Sequence, residues 1–397
     1  MHKIVYAGVN TNTSFKQAEK TLKELANIDI SDSHIQRIVA RIGKEFNKKD
    51  EKYKEIKEKQ EAKKEQNQIE VASISIDGGR VQIREENRGS GANNPKWMET
   101  KVSLMQILQS PKYDKDPHPC LPEIFSNKEK ILILVSGLKN ETNKIKLNQK
   151  KTKENNNKQI KTKQEKNTNY QIIKKFIYAT IDEAERFGNI IYNKSDELNL
   201  HSAIRKAFLG DGDRKNWSIF EYGFRPHGWI PILDFIHSIE YAYGAAKLIT
   251  NTQKTLWNKY NEYITHIWQG RVLTVIRRLE KEIANLEKLN KKTKSILEKI
   301  DNIKGIREYF KNNYTKMNYP EYRKLGLPIT SCHVESLIKQ FNLRIKSSEK
   351  FWNKTVVNGI LKIKSSFLSD DNTWEEFWDN RYNEQIYSKR DYIKNAA

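Results

Sequence analysis

Near residue 70 the apolar residues change from the three-and-four spacing of helices to the alternation of a strand, and any fold of this chain has to accommodate that switch. Before it, Ser14 is placed to cap FKQAEKTLKELA, whose Phe15, Ala18, Leu22 and Leu25 form one stripe, which predicts a helix over 15–26. Ser31 or Asp32 can cap a second helix, SHIQRIVARIGKEF, with Ile35, Ile38, Val39 and Ile42 inward and His34, Gln36, Arg37 and Arg41 outward. Two short helices around a brief turn fit a helix-turn-helix, in which Gln36, Arg37 and Arg41 would read a DNA groove, or equally a plain helical hairpin. Residues 44–69 are almost wholly charged and read as a solvated helix or linker, so 1–70 forms a first segment.

Beyond the switch, VASISID runs into Gly78-Gly79, and RVQIRE and KVSLMQIL continue the alternation, predicting three strands in a meander. Residues 109–175 carry Pro111, Pro117, Pro119 and Pro122 and then a Lys/Asn tract, and read as an inserted, partly low-complexity loop. Within it, ILILVSGL at 131–138 is strand-sized. The pattern then gives an amphipathic helix (YATIDEAERFGNIIYNKSDEL), a short strand (IRKAFLGDG), a strand or turn (WSIFEYGF), and a buried strand, Trp229 to Leu233, entering a helix. Residues 253–312 read as helix throughout, Ser331 caps another over SCHVESLIKQFNLRIKSS, and two tryptophan-rich helices follow. The expected class is α/β, a mixed sheet with flanking helices. Its parts are a core beginning at 71–250, a helical insertion at 251–318, and the last part of the core with the final helices at 319–397.

Composition narrows the function classes. Lys and Arg number 72 against 50 Asp and Glu, a net charge of +22. Such an excess points to a polyanion, above all nucleic acid, although AT-rich coding drift toward Lys and Asn can supply part of it. Two cysteines, Cys120 and Cys332, without metal-ligand spacing exclude a disulfide framework. No apolar run approaches the roughly 20 residues that span a bilayer, and the first residues lack a signal core, so a cytoplasmic, nucleoid-associated protein is expected.

Three acids stand out: Asp77 at the end of the first strand, Asp211 between Gly210 and Gly212 after another, and Glu335 one turn into a late helix. Singly, each fits a turn or cap residue. Together, in the order β-β-β-α-β-α, they follow the ribonuclease H-like plan. Carboxylates that converge repel one another unless a divalent cation joins them, and all-oxygen ligation suits two Mg²⁺ or Mn²⁺ ions.

The runs VASISIDGGRVQIREEN, NNPKWMETKVSLMQIL, IRKAFLGDGDRKNW, PILDFIHSIEYAYGAAK and LPITSCHVESLIKQFNLRIKSSEKFW resemble the DDE transposases of bacterial insertion sequences, in particular the Kra-type group, and more distantly the Mutator-like enzymes. The resemblance spans about 14–381 apart from the Lys/Asn tract. It implies catalytic, metal-holding roles for Asp77 in IDGG, Asp211 in GDG and Glu335 in VES, and matches the family's Asp-x-x-His element to Asp234 and His237 as supporting residues. The bland alternative for His237 is a packed, hydrogen-bonded histidine. The resemblance further implies cleavage of transposon ends in double-stranded DNA, joining to target DNA, and a homodimer or larger assembly. Where the family has Ser-Gly, this chain has Ser331-Cys332-His333. That departure keeps open a catalytically inactive DNA-binding remnant, and a ribonuclease H-like nuclease without strand transfer is the other alternative. Lys339, Arg344 and Lys346 on the late helix are suited to DNA phosphates, Arg80 and Arg84 to a DNA path or to solvent, and Trp352, Trp374 and Trp378 to the core or to base stacking.

Overall fold

The computed structural model describes residues 1–10, 14–53, 68–84, 96–142, 170–290, 293–347 and 350–383. In chain order the main elements are α1 (His2–Asn10), α2 (Phe15–Ala26), α3 (Asp32–Lys49), β1 (Val71–Ile83), β2 (Lys96–Gln109), α4 (Lys128–Thr142), β3 (Gln171–Thr180), α5 (Ala184–Glu197), β4 (Arg205–Gly210), α6 (Arg214–Ile219) and β5 (Ile230–Leu233). They continue with α7 (Phe235–Ile249), α8 (Gln253–Trp268), α9 (Val272–Glu287), α10 (Lys294–Asn313), α11 (Tyr319–Lys324), α12 (Cys332–Ile345) and α13 (Lys354–Leu368). The strands form one mixed sheet in the order β3-β2-β1-β4-β5, in which the pairs β3–β2 and β2–β1 are antiparallel and the pairs β1–β4 and β4–β5 are parallel.

Alternation along β1 explains how the sheet is covered. Ala72, Ile74 and Ile76 face the cluster built with α5 and the segment around Phe220. On the other face, Val71 joins the cluster of α4 and α7–α10, and Val81 and Ile83 join that of α1–α3, α12 and α13. Between those two blocks the same face carries Ser73, Ser75, Asp77 and Gly79, a polar seam. The candidate acids lie along it.

Several expectations are corrected. VASISID and RVQI form one strand of 13 residues, because Gly78 and Gly79 continue the pairing instead of turning. The third antiparallel strand is β3, from the segment read as an inserted loop and from the start of the predicted helix; Phe176 and Tyr178 alternate with Ile177 and Ala179, but flanking lysines masked the pattern. ILILVSGL is helical: in α4, Ile131 and Val135 pack inward at helical spacing while Leu132 and Ile133 are exposed. WSIFEYGF is helical too, started by the Asp213 carboxylate accepting from the Lys215 N–H. Most of the Lys/Asn tract and of the charged 44–69 segment lies outside the described residues.

The amino-terminal helices do not stand apart from the core. Val5, Leu22, Ile35, Val39 and Ile42 share one apolar cluster with Ile338, Ile360 and Leu361. At the end of α3, the buried Asp50 is bound by Lys362 at 2.8 Å and by the Tyr178 hydroxyl at 2.8 Å, so part of the charged run is internal. Helices α3 and α13 cross so closely that a Cβ on Gly43 would meet the Gly359 backbone at 2.8 Å, and one on Gly359 would meet Gly43 at 2.6 Å. Gly359→Leu is therefore expected to cost about 1–3 kcal/mol or more through overpacking. Gly305→Ala, on α10 with nothing within 4 Å, is expected to stabilise by up to about 1 kcal/mol. Urea midpoints of the two variants check both signs.

Candidate active site

The register of the parallel strands brings the acids together. Ser75 pairs with Leu209, and Leu209 with Ile232, so Asp77, Asp211 and Asp234 each stand two residues beyond the same rung. The Asp234 N–H donates to the Gly210 carbonyl at 2.9 Å, carrying the ladder one step past β5 before α7 begins. Crevices at the carboxyl ends of parallel strands are where α/β sheets bind ligands, and this one is floored by three aspartates.

Glu335 arrives from α12, which crosses β1 at Gly79. A Cβ there would lie 3.5 Å from Asn342 Oδ1 and 3.7 Å from Ile338, residues that share the Glu335 face of the helix at helical spacing. On the neighbouring strand, the Thr100 hydroxyl accepts from the Gly79 N–H at 3.1 Å, and a Cβ on Gly78 would meet the Thr100 carbonyl at 2.8 Å. Gly78 is thus required by close approach to backbone, and Gly79 is tightly packed against the Thr100 hydroxyl at 3.0 Å.

His237, one turn into α7, joins the groups. Ligand atoms of Asp77, Asp211 and His237 lie within 4.8 Å of one another, and so do those of Asp234, His237 and Glu335. Its Nε2 is 3.9 Å from Asp234 Oδ2. Burial pulls the imidazole down, but Asp234, Asp77, Asp211 and Glu335 together outweigh it and hold its pKa above the ordinary value. Burial also pushes Asp77 up to about 8; His237 and the Gly78 N–H, at 2.6 Å, oppose the rise, while Asp211 and Glu335 add to it. Asp234 is raised by burial too, against the pull of His237, Ser331 and the Ile236 N–H.

Asp211 and Asp234 are each oriented by groups of their own. Asp211 Oδ1 accepts from the Asp213 N–H and the Asn216 amide, both at 2.9 Å. Its backbone carbonyl accepts from the Tyr309 hydroxyl at 3.0 Å, and Tyr309 stacks on Tyr241 with ring centroids 3.5 Å apart. Gly212, at φ +98, has no room for a Cβ against Tyr309, at 2.8 Å. Asp234 is wholly buried: Oδ1 accepts from the N–H groups of Ile236 at 3.0 Å and Ser331 at 3.2 Å, and Oδ2 from the Ser331 hydroxyl. The side chain of Ser331 was expected to cap α12; it forms no cap bond there and instead ties the start of α12 to the start of α7. Ser331, Asn216, Thr100 and Tyr309 were not anticipated as site residues; Asn216 had a local signal, five residues after Asp211, but Ser331, Thr100 and Tyr309 bond Asp234, Gly79 and Asp211 from 97, 21 and 98 residues away.

Of the predicted DNA-contacting residues, Gln36, Arg37 and Arg41 are exposed on α3, Arg80 and Arg84 are exposed on or just after β1, Lys339 is exposed on α12 and Lys346 is half-buried at its end. None of them belongs to the groups gathered around His237. Arg344 is a correction. It is 1% exposed, donates from Nε to the Gly8 carbonyl at 3.0 Å, and lies over the rings of Phe15 at 4.4 Å and Trp352 at 5.0 Å. It clamps α1 and α2 to α12 and has no surface to offer a phosphate. Trp352 and Trp374 are core residues, and Trp378 stacks edge-on against Trp374. Both cysteines are exposed free thiols.

Among the described residues, no helix is long and apolar enough to cross a membrane. The chain matches no known family model and no curated protein.

Proposed function

We propose that the chain is a DDE transposase of an insertion sequence, with a ribonuclease H-like core that cuts double-stranded DNA at the element's ends and joins the ends to target DNA. The observation that carries the reading is the convergence of Asp77, within β1, Asp211, just beyond β4, and Glu335, on α12, on one histidine beside the carboxyl ends of β4 and β5 in a sheet ordered β3-β2-β1-β4-β5. The resemblance in motif order supports it independently.

The donor set fits divalent cations. Carboxylate oxygens are the ligands Mg²⁺ and Mn²⁺ prefer, and an Asp77 carboxyl raised to about 8 by burial and by Asp211 and Glu335 is one whose charge lacks enough compensation. In this reading Asp77 and Asp211 hold the ions and Glu335 completes the second site. Ions held there would supply activation of a water or 3′ hydroxyl and stabilisation of the leaving oxygen. Asn216 fixes Oδ1 of Asp211, and Tyr309 fixes its backbone, so that little is reorganised when DNA arrives. Asp234, locked by Ser331, positions His237, whose protonated form the surrounding carboxylates favour. The net charge of +22 favours association with the phosphate backbone.

The test is a nicking assay on the DNA flanking the gene, wild type against Glu335→Gln. Nicking that needs Mg²⁺ or Mn²⁺ and falls by at least about 10²-fold in the variant supports the site. Binding without metal-dependent nicking overturns it in favour of an inactive remnant, and nicking without joining of 3′ ends to a second DNA leaves a nuclease.

A further inference from the structure

Asp211 and His237 stand on separate segments, the loop after β4 and the start of α7, and α10 touches both segments. The parallel ladder ties β4 to the start of α7 as far as Gly210, whose carbonyl accepts from the Asp234 N–H at 2.9 Å. Asp211 is the next residue, and there the tie passes to Tyr309 of α10, whose hydroxyl donates to the Asp211 carbonyl at 3.0 Å. The Tyr309 ring lies nearly parallel to that of Tyr241 on α7, at 9° with centroids 3.5 Å apart. Tyr241 is one turn beyond His237, and a Cβ on Gly244, one turn further, would lie 3.5 Å from Ile306 of α10. His237, Tyr241 and Gly244 thus form one stripe of α7, its first member among the carboxylates and the other two against α10. The loop is shaped for the same side chain: Gly212 sits at φ +98, and the space a Cβ would take there is filled by the Tyr309 ring at 2.8 Å. Burial holds the Tyr309 phenol well above its ordinary pKa, so the hydroxyl remains a donor. Beyond the tyrosine, α10 and α6 are separated by a groove of about 790 Å³.

The Asp213 N–H and the Asn216 amide orient Oδ1 of Asp211, but both belong to the same stretch of chain and do not set its distance from α7. One rigid ring does, holding the Asp211 backbone at its hydroxyl and α7 at its face. We propose that Tyr309 is a positioning residue for the cation site: by anchoring the Asp211 backbone to the His237 stripe of α7, it sets the spacing of Asp211 from the other ligands and with it the affinity of the centre for a divalent ion. The proposal rests on reading Asp77, Asp211 and Glu335 as a cation-binding centre. Tyr309 brings no charge to the ion. It spares the ligands a rearrangement when an ion binds, and losing an outer partner of this kind lowers metal affinity about 10–100-fold. It also makes the helical block α8–α10 part of the centre, although among the described residues none of the groups gathered around His237 comes from that block.

The experiment titrates Mn²⁺ calorimetrically into the full chain without DNA and measures nicking by the same preparations over a range of Mn²⁺ concentrations. Wild type is expected to bind the ion and Asp211→Asn to lose it. Tyr309→Phe keeps the ring stack and removes the hydroxyl; its Mn²⁺ affinity is expected to fall roughly tenfold, with the thermal midpoint in EDTA little changed. Its nicking rate should return to that of wild type at saturating Mn²⁺, the concentration required rising by the same factor. A tyrosine needed only for packing would lower the midpoint and leave the affinity of the folded fraction alone. Tyr241→Phe keeps both the stack and the Tyr309 hydroxyl and should bind as wild type does. Equal Mn²⁺ affinity in wild type and Tyr309→Phe, or an equal loss in Tyr241→Phe, overturns the positioning role and leaves the catalytic reading standing. Affinity lowered by Tyr309→Phe in a protein whose wild type does not nick supports the role and overturns the catalytic reading alone. A wild type with no Asp211-dependent Mn²⁺ binding overturns both.

Discussion

Asp77→Asn is expected to lower Mg²⁺-dependent nicking by at least about 10³-fold while making the metal-free protein more stable. The two signs together identify the residue. A carboxylate kept for structure would cost stability when removed, since its partners would lose an acceptor. Asp77 is different: its hydrogen bond comes from its own neighbour, the Gly78 N–H, for which an asparagine oxygen is also an acceptor. Against that, its charge is opposed by burial, Asp211 and Glu335, and only His237 and the Gly78 dipole favour it. Neutralising it with an isostere should stabilise the protein by on the order of a few kcal/mol at pH 8, because each unit of raised pKa corresponds to about 1.4 kcal/mol. Thermal midpoints in EDTA, set beside nicking rates on the same preparations, read both effects. A lower midpoint for Asp77→Asn would make Asp77 a structural acid.

The same electrostatics give the metal-free protein a characteristic pH dependence. Asp77 titrates near 3.8 in an unfolded chain and about 8 in the fold; Asp234 and His237 are raised in the fold as well. Between those values the native state retains protons that the unfolded chain has released. The contribution of Asp77 is therefore complete below about pH 4, declines as pH rises, and is lost once pH passes 8, at about 1.4 kcal/mol per pH unit for one proton. His237 declines in the same direction, beginning above its ordinary value of 6.5. In the proposed metal-bound form a divalent ion takes the place of those protons, so on that proposal the rise in thermal midpoint caused by Mg²⁺ should be small at pH 5.5 and large at pH 8.5. In Asp77→Asn both the decline and the Mg²⁺ effect should flatten. An Mg²⁺ effect independent of pH would show that the ion does not displace protons from this cluster.

Much of the site was legible because its residues sit where local chemistry is distinctive. An acid ending a run of alternating apolar residues, an acid between two glycines and an acid in the first turn of a helix can each be picked out by eye, and Asp77, Asp211 and Glu335 were. His237 was harder to weigh, since a histidine three residues after an aspartate is equally at home in a core. Its standing among four carboxylates follows from the register of β4 with β5 and from the crossing of α12 over β1, neither of which is encoded in a short window. Arg344 shows the reverse failure. On α12 it has the spacing of a surface cation, yet α1 and α2, more than 300 residues earlier in the chain, fold over it.

Local sequence determined the helices with strong stripes, the strands with clean alternation, the positive charge and the three acids, because each depends on neighbours within a few residues. Tertiary structure decided that Gly78-Gly79 would continue a strand instead of turning, that a lysine-rich segment would become β3, that an apolar run would become a helix, and that the first fifty residues would complete the core. It also opened a groove beside Asp211, lined from α6, the helical turn after it and α10. Those outcomes depend on pairing and burial between segments far apart in the chain, where the free energy of closing a sheet or covering an apolar face exceeds the weak preferences of any single stretch.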